Sequence, residues 1–156
     1  MAIAITLRQF LQNEDIDYEI LHHDKSRTSL ETAANAHVSG DCVAKSVLLE
    51  DDTGYVMVVL PASHELDMAR VHEQISRPLT FAHETELVQL FSDCEPGAIP
   101  PIGTAYGIET LIDDSLAEQP DIYFEAGSHT DLVHISGESF RSLMSNAGHG
   151  VFSRPF

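Results

Sequence analysis

The stretch VAKSVLLEDDTGYVMVVLP, residues 43–61, constrains this chain more than any other. Residues 43–50 and 55–60 are rich in Val and Leu, and the DDTG between them is turn chemistry, with Gly54 able to take a positive φ. The spacing predicts a β-hairpin. One residue does not fit it. Lys45 is one of only two lysines in the chain, and on either face of its strand it presses against apolar neighbours. Its stem can snorkel along the sheet and release the ammonium to water at an edge. Alternatively, a lysine kept in apolar surroundings has a lowered pKa and becomes a strong partner for a phosphate, a carbonyl oxygen or a developing oxyanion. Both readings stay open on the residues alone.

Around the hairpin the pattern alternates between helix and strand. TLRQFLQNED places Leu7, Phe10 and Leu11 at helical spacing after a Thr6 cap, and IDYEIL turns toward a strand. TSLETAANAHV has Thr28 and Glu31 at capping-box spacing, with Leu30, Ala33, Ala34 and His37 expected on its inner face and a stop at Ser39-Gly40. PASHELDMARVHEQI reads as a helix capped by Ser63 or Asp67, with Leu66, Ala69 and Val71 on its buried side. PLTFA is a short strand, and HETELVQLF is a helix through Leu87, Val88, Leu90 and Phe91. IETLI, DIYFE and DLVHI are three more strands, and SGESFRSLMSNAG is a capped helix with Phe140, Leu143 and Met144 on one face. The expected fold is mixed α/β (α+β). It is one domain over residues 1–156, with a curved, partly barrel-like mixed sheet of about six or seven strands flanked by helices.

The 156 residues, 43% hydrophobic, suffice for one packed unit. No run approaches the roughly 18 apolar residues of a membrane helix, and the start lacks a basic leader, so the expectation is a soluble cytoplasmic protein with no membrane partner. Cys42 and Cys94 are too few and too far apart for a disulfide framework or a CxxC metal site. Eight basic residues stand against 25 acidic ones, a formal charge of −17. Such a surface repels polyanions, which argues against a long footprint on nucleic acid and against DNA as a partner.

Three groups remain as carriers of chemistry. The segment SDCEPGAIPPIGTAYG, residues 92–107, concentrates prolines and glycines yet is not polar, so it reads as a shaped loop packed on the domain. Within it Gly97, Ala98, Ile99, Pro100 and Pro101 form a Gly-x-x-x-Pro run, in which glycine admits a ligand and paired prolines hold backbone groups in fixed directions. A rigid turn explains the run equally well. The AGSHTD segment sets Ser128 and His129 beside Gly127 in what reads as a hairpin tip. His22-His23-Asp24 lacks the second spaced motif of a zinc site, and no thiol-enzyme signature surrounds Cys42, so neither a metal nor a cofactor is expected.

In this order, TSLETAANAHVSGDCVAKSVLL, the hairpin, LPASHELD, EPGAIPPIG and FEAGSHTDLVHIS resemble the YbaK and prolyl-tRNA-synthetase-associated editing domain family over roughly residues 18–145. The resemblance implies an aminoacyl-tRNA deacylase acting in trans, with the acceptor end of an aminoacyl-tRNA as its partner. It implies that Lys45 holds the phosphate or sugar of that end or polarises the ester, and that residues 97–101 position the aminoacyl carbonyl. It also implies that the turn of Gly127, Ser128 and His129 shapes the amino-acid pocket. A synthetase or another tRNA-binding protein is a further partner it admits. Two alternatives remain: a non-catalytic module that binds a small molecule or nucleotide on the same fold, and a protein-interaction domain with an acidic docking face.

Overall fold

The computed structural model describes residues 3–156. The predicted hairpin is its centre: β2 (Val43–Asp51) and β3 (Gly54–Pro61) pair antiparallel from Ala44↔Pro61 to Asp51↔Gly54. Along β3, Met57 and Val59 enter one core while Val56 and Val58 enter another on the opposite face. Burial on both faces explains why the strand is an unbroken apolar run instead of an alternating one.

Parallel neighbours extend the hairpin on each side. β6 (Glu109–Asp113) pairs with β3, and β9 (Gly148–Gly150) pairs with β6. On the other flank β7 (Asp121–Glu125) pairs with β2, β8 (Asp131–Ser136) with β7, and β1 (Glu19–His22) with β8. The sheet has eight strands in the order β1-β8-β7-β2-β3-β6-β9, with β5 (Thr80–Phe81) beside β2, and its described path is open at β1 and β9. A separate two-stranded sheet joins β4 (His64–Leu66) to β10 (Ser153–Pro155). The total exceeds the six or seven strands expected, because β4, β9 and β10 are only three residues long and carry no readable period, whereas β5 falls within the expected PLTFA strand.

The larger core lies on the face that carries α1 (Ile5–Asn13), which contributes Leu7 and Leu11, and α6 (Gly137–Leu143), which contributes Phe140 and Leu143. The second core packs Val71 of α3 (Met68–Gln74) and Phe152 against Leu49, Val56 and Val58. α5 (Asp114–Ala117) follows β6 directly, capped by Asp113. Among the described residues no helix is long and apolar enough to cross a membrane.

Several helix ends differ from expectation. Ala4, not Thr6, is the N-cap of α1, and the Thr6 amide is instead satisfied from outside the helix by Asp93 Oδ2 at 3.0 Å. α2 (Ser29–Asn35) keeps its Thr28 cap but ends before His37, which takes a φ of 58°. It buries Thr32 and Ala33, the latter against Val43 and Ala62, whereas Leu30, Ala34 and His37 are exposed. Ser63 caps nothing because β4 follows it, and Asp67 caps α3 by accepting from the amides of Ala69 and Arg70. Ala69 is consequently turned to solvent. Val88 of α4 (Glu84–Leu90) is also exposed, and the proline-rich loop contains a short 3₁₀ turn, Gly103–Tyr106.

Candidate functional site

The ladder between β2 and β7 is only two pairs long, Val43↔Tyr123 and Ala44↔Phe124. Ala44 and Phe124 both point into the larger core. One residue further, Lys45 and Glu125 fall on the opposite side of their strands, where the ladder has ended. A cavity with about 100 Å³ of room opens there, lined by Ser29, Lys45, Ser46, Gly97, Ile99 and Glu125 among others.

Lys45 is half-buried, and burial pulls its pKa below the usual lysine value although Glu65 acts in the other direction. Its Nζ donates to the His64 carbonyl at 2.6 Å and lies 3.5 Å from the Ala62 carbonyl. The residue of β10 opposite His64 is Pro155, which has no N–H to offer that carbonyl. The ring of Phe156 packs over Nζ at 4.9 Å from its centroid. The ammonium therefore links β2 to the two-stranded sheet, while Lys45 as a residue contributes to the cavity lining.

The proline-glycine loop is fastened to the turn after β7. Glu95 N–H donates to the Gly127 carbonyl and Gly127 N–H to the Ala98 carbonyl, each at 2.8 Å. His129 adds a backbone N–H to Glu95 Oε2 at 2.7 Å and a ring contact from Nε2 to the Pro96 carbonyl at 2.6 Å. Gly97 takes φ +83°, and a Cβ there would stand 3.3 Å from the His129 ring, so both backbone conformation and space call for glycine. The structure thus brings two separately recognised segments into one unit. Gly97 and Ile99 face the cavity, whereas Ala98, Pro100 and Pro101 are buried. Gly127 is buried against Ala4, Ser128 Oγ donates to Asp131 Oδ2 at 2.8 Å, and none of Gly127, Ser128 and His129 lines this cavity.

A second, mainly apolar cleft of about 230 Å³ shares Ser46, Gly97 and Ile99 with the first and is walled by Val47, Leu48, Met57, Phe81, Leu87 and Phe91, with Glu84 as its one charged residue. Ser46 Oγ reaches the Ile99 carbonyl at 3.5 Å, on the boundary between the two.

Sequence reasoning passed over Glu125. It is buried, and Thr32 Oγ1 donates to its Oε1 at 3.2 Å. Burial raises its pKa, against the opposing effects of His129, Thr32 and His23. The signal was the same one that exposed Lys45: a charged residue between Phe124 and Ala126 in an apolar strand.

Among the described residues one group has metal-ligand chemistry, Glu50, His83 and Glu86, whose ligand atoms lie within 4.8 Å of one another at the other end of β2. His22 pairs with Asp131 instead of gathering ligands with His23. Both cysteines are free thiols with raised pKa values, that of Cys94 pushed up to about 12 by burial.

Comparison with known proteins gives this geometry a family. The proline--tRNA ligase of Bacillus subtilis (strain 168) is 29% identical over 102 residues, which are 63% of this chain and 17% of that protein. A solved structure described as a candidate trans-editing enzyme for prolyl tRNA synthetase superposes with a TM-score of 0.83 at 17% identity, covering 96% of this chain and 95% of the other. A candidate signal transduction protein from Marinobacter aquaeolei VT8 superposes with a TM-score of 0.77 at 19% identity, over 96% of this chain and 30% of that one. At these identities the structures speak for the fold. The sequence pattern of the aminoacyl-tRNA editing domain matches residues 23–143, most of the chain, and the chain belongs to that family.

Proposed function

We propose that the chain is a deacylase that hydrolyses the ester joining a wrongly attached amino acid to the terminal adenosine of a tRNA charged elsewhere. The observation that carries this reading is the meeting of two spaces at Ser46, Gly97 and Ile99: the cavity that Lys45 also lines, and the apolar cleft. Together they offer a cation for the phosphate or sugar of the acceptor end, a fixed backbone surface for the aminoacyl carbonyl, and a sized space for an amino-acid side chain.

An aminoacyl ester is already activated, so positioning and electrostatic stabilisation suffice without a strong base. Water adds to the carbonyl carbon, either directly or after the vicinal ribose hydroxyl has taken over the acyl group. The bond to the ribose oxygen that carries the acyl group then breaks, that oxygen takes the proton the water gives up, and the amino acid leaves with the water's oxygen in its carboxyl. Lys45 Nζ, already directed by the His64 carbonyl and the Phe156 ring, contributes positive charge to the developing oxyanion or to the adjoining phosphate. The thiols take no part, in keeping with their raised pKa values.

A panel of mischarged tRNAs incubated with the purified chain tests the proposal. Release of the amino acid from a subset of them, above the spontaneous rate, is the expected outcome, and release from none overturns it.

A further inference from the structure

The carboxyl of Glu125 has an oxygen without a donor. The residue is 7% exposed, Oε1 is occupied by Thr32, and Oε2 makes no hydrogen bond. Nδ1 of His129 lies 3.3 Å from Oε2 and is likewise without a hydrogen bond. The tautomer of His129 explains why. Its Nε2 faces the Pro96 carbonyl at 2.6 Å, a pure acceptor, so Nε2 carries the proton. In the neutral ring Nδ1 is then an acceptor too. A neutral ring thus leaves Oε2 without a donor, and only the imidazolium pairs with it; Glu125 lines the cavity, and a buried carboxylate oxygen without a donor is costly. No ion pair joins Glu125 to Lys45, whose Nζ is directed to the His64 carbonyl.

We propose that Glu125 receives the α-ammonium of the aminoacyl group. A primary ammonium presents three N–H donors and one positive charge, which answers the free oxygen of Glu125 and its charge together. The division of space agrees with this. The cavity at Glu125 has about 100 Å³ of room, small and polar, whereas the neighbouring apolar cleft has about 230 Å³. An amino acid with its ammonium in the first and its side chain in the second puts Cα and the ester carbonyl at the shared boundary of Ser46, Gly97 and Ile99. The ligand class is therefore an α-aminoacyl ester with a free amine. N-acylated esters, such as formylated or peptidyl ones, lose the charge and gain bulk where the smaller cavity has no space for it. Glu125 is in this account a substrate-binding residue that sets which esters are accepted.

This inference rests on the deacylase reading, and the test separates the two. The probes are 3′-amino-3′-deoxyadenosine carrying an amide-linked alanine or valine, each as the free amine, the N-acetyl form and the des-amino form, titrated calorimetrically. Wild type is expected to bind the free amine about 10- to 100-fold more tightly than the other forms, the range for a hydrogen-bonded charge. Glu125→Gln, which keeps a partner for Thr32, is expected to bring that ratio to within about threefold. Circular dichroism reports whether the variant is folded, and the wild-type ratio stands without it. Equal affinity of amine and N-acetyl forms in wild type, or an unchanged ratio in a folded Glu125→Gln, overturns the proposal, as does failure of every probe to bind. Hydrolysis of aminoacyl-tRNA and its N-acetylated form at equal rates overturns the Glu125 assignment and leaves the deacylase reading standing. Amine-dependent binding without any hydrolysis supports the assignment and ends the deacylase reading.

Discussion

Replacing Lys45 by Met keeps the unbranched stem and removes the charge, and the structure sets the size of two opposed effects on stability. The ammonium gives a short charged hydrogen bond to the His64 carbonyl, which its strand neighbour Pro155 cannot supply. Losing a hydrogen bond of that kind costs about 1.5–3 kcal/mol. Against it, burial already disfavours the charged lysine, as its lowered pKa records, and a thioether carries no such penalty. The two nearly offset, so the unfolding free energy in urea should fall by no more than about 1–2 kcal/mol. Catalysis has no such offset. Loss of a preorganised charge at the reacting group typically costs about 100- to 1,000-fold. Single-turnover deacylation of the most responsive mischarged tRNA should fall by that factor in a folded Lys45→Met protein. A folded variant within about threefold of wild-type activity would refute Lys45 as a catalytic group. A stability loss well beyond about 3 kcal/mol would instead show that the link between β2 and β4 is its main role.

Other consequences follow from groups whose surroundings are fully specified. Asp113 accepts from Ser115 Oγ, the Phe152 amide and Ser153 Oγ, and these bonds lower its pKa in spite of burial. Asp113→Ala should cost about 3 kcal/mol in urea unfolding by leaving buried donors unpaired. The wild-type contribution is complete above the unfolded pKa of about 3.9 and lost as pH falls through the lower folded value. His134 is bonded to Asp121 and Glu19, which raise its pKa more than burial lowers it. Its contribution is complete below the unfolded pKa of about 6.5 and lost as pH rises through the raised folded value, a slope that His134→Gln should abolish in pH-dependent unfolding. Cys94→Ser should retain deacylation, and wild-type Cys94 should resist iodoacetamide at pH 8, because its thiol is pushed up to about 12. Gly97→Ala forces a Cβ into a left-handed φ against His129 and should lower kcat/KM with the global fold intact by circular dichroism.

The long periodic elements were legible in the sequence, and the hairpin most of all, because β3 contributes alternately to two cores and leaves an unbroken apolar signature. The three-residue strands β4, β9 and β10 were not, although the two-residue β5 was marked by its place in PLTFA. β10 reads as a terminal tail until β4 is placed beside it, and its register then puts Pro155 opposite the carbonyl that Lys45 serves. In the site, Lys45 stood out as a charge in an apolar run, and Glu125 carries the same signature at its strand end. Their adjacency depends on β2 and β7 pairing in parallel across a separation of some eighty residues, a tertiary fact with no local trace. The bonds that tie Glu95 and Ala98 to Gly127 are equally non-local.

The excess of acidic charge fits a protein that takes hold of one end of its substrate. Arg77 is engaged by Asp51 and Glu109, Arg154 by Glu65, and Arg70 by Asp67 and the Ser153 carbonyl. Arg141 donates to the Ala117 carbonyl and Lys45 to that of His64. Cations committed in this way are poorly placed to displace the counterions of a long polyanion, the main source of affinity when a protein grips a nucleic acid along its length. On the proposed reading, recognition falls to the cavity and the cleft, with Lys45 for the terminal nucleotide and Glu125, the proline-glycine loop and the apolar cleft for the amino acid. A formal charge of −17 works against contact with further phosphates. The discrimination then falls on the aminoacyl group, the part of the molecule that an editing reaction has to judge.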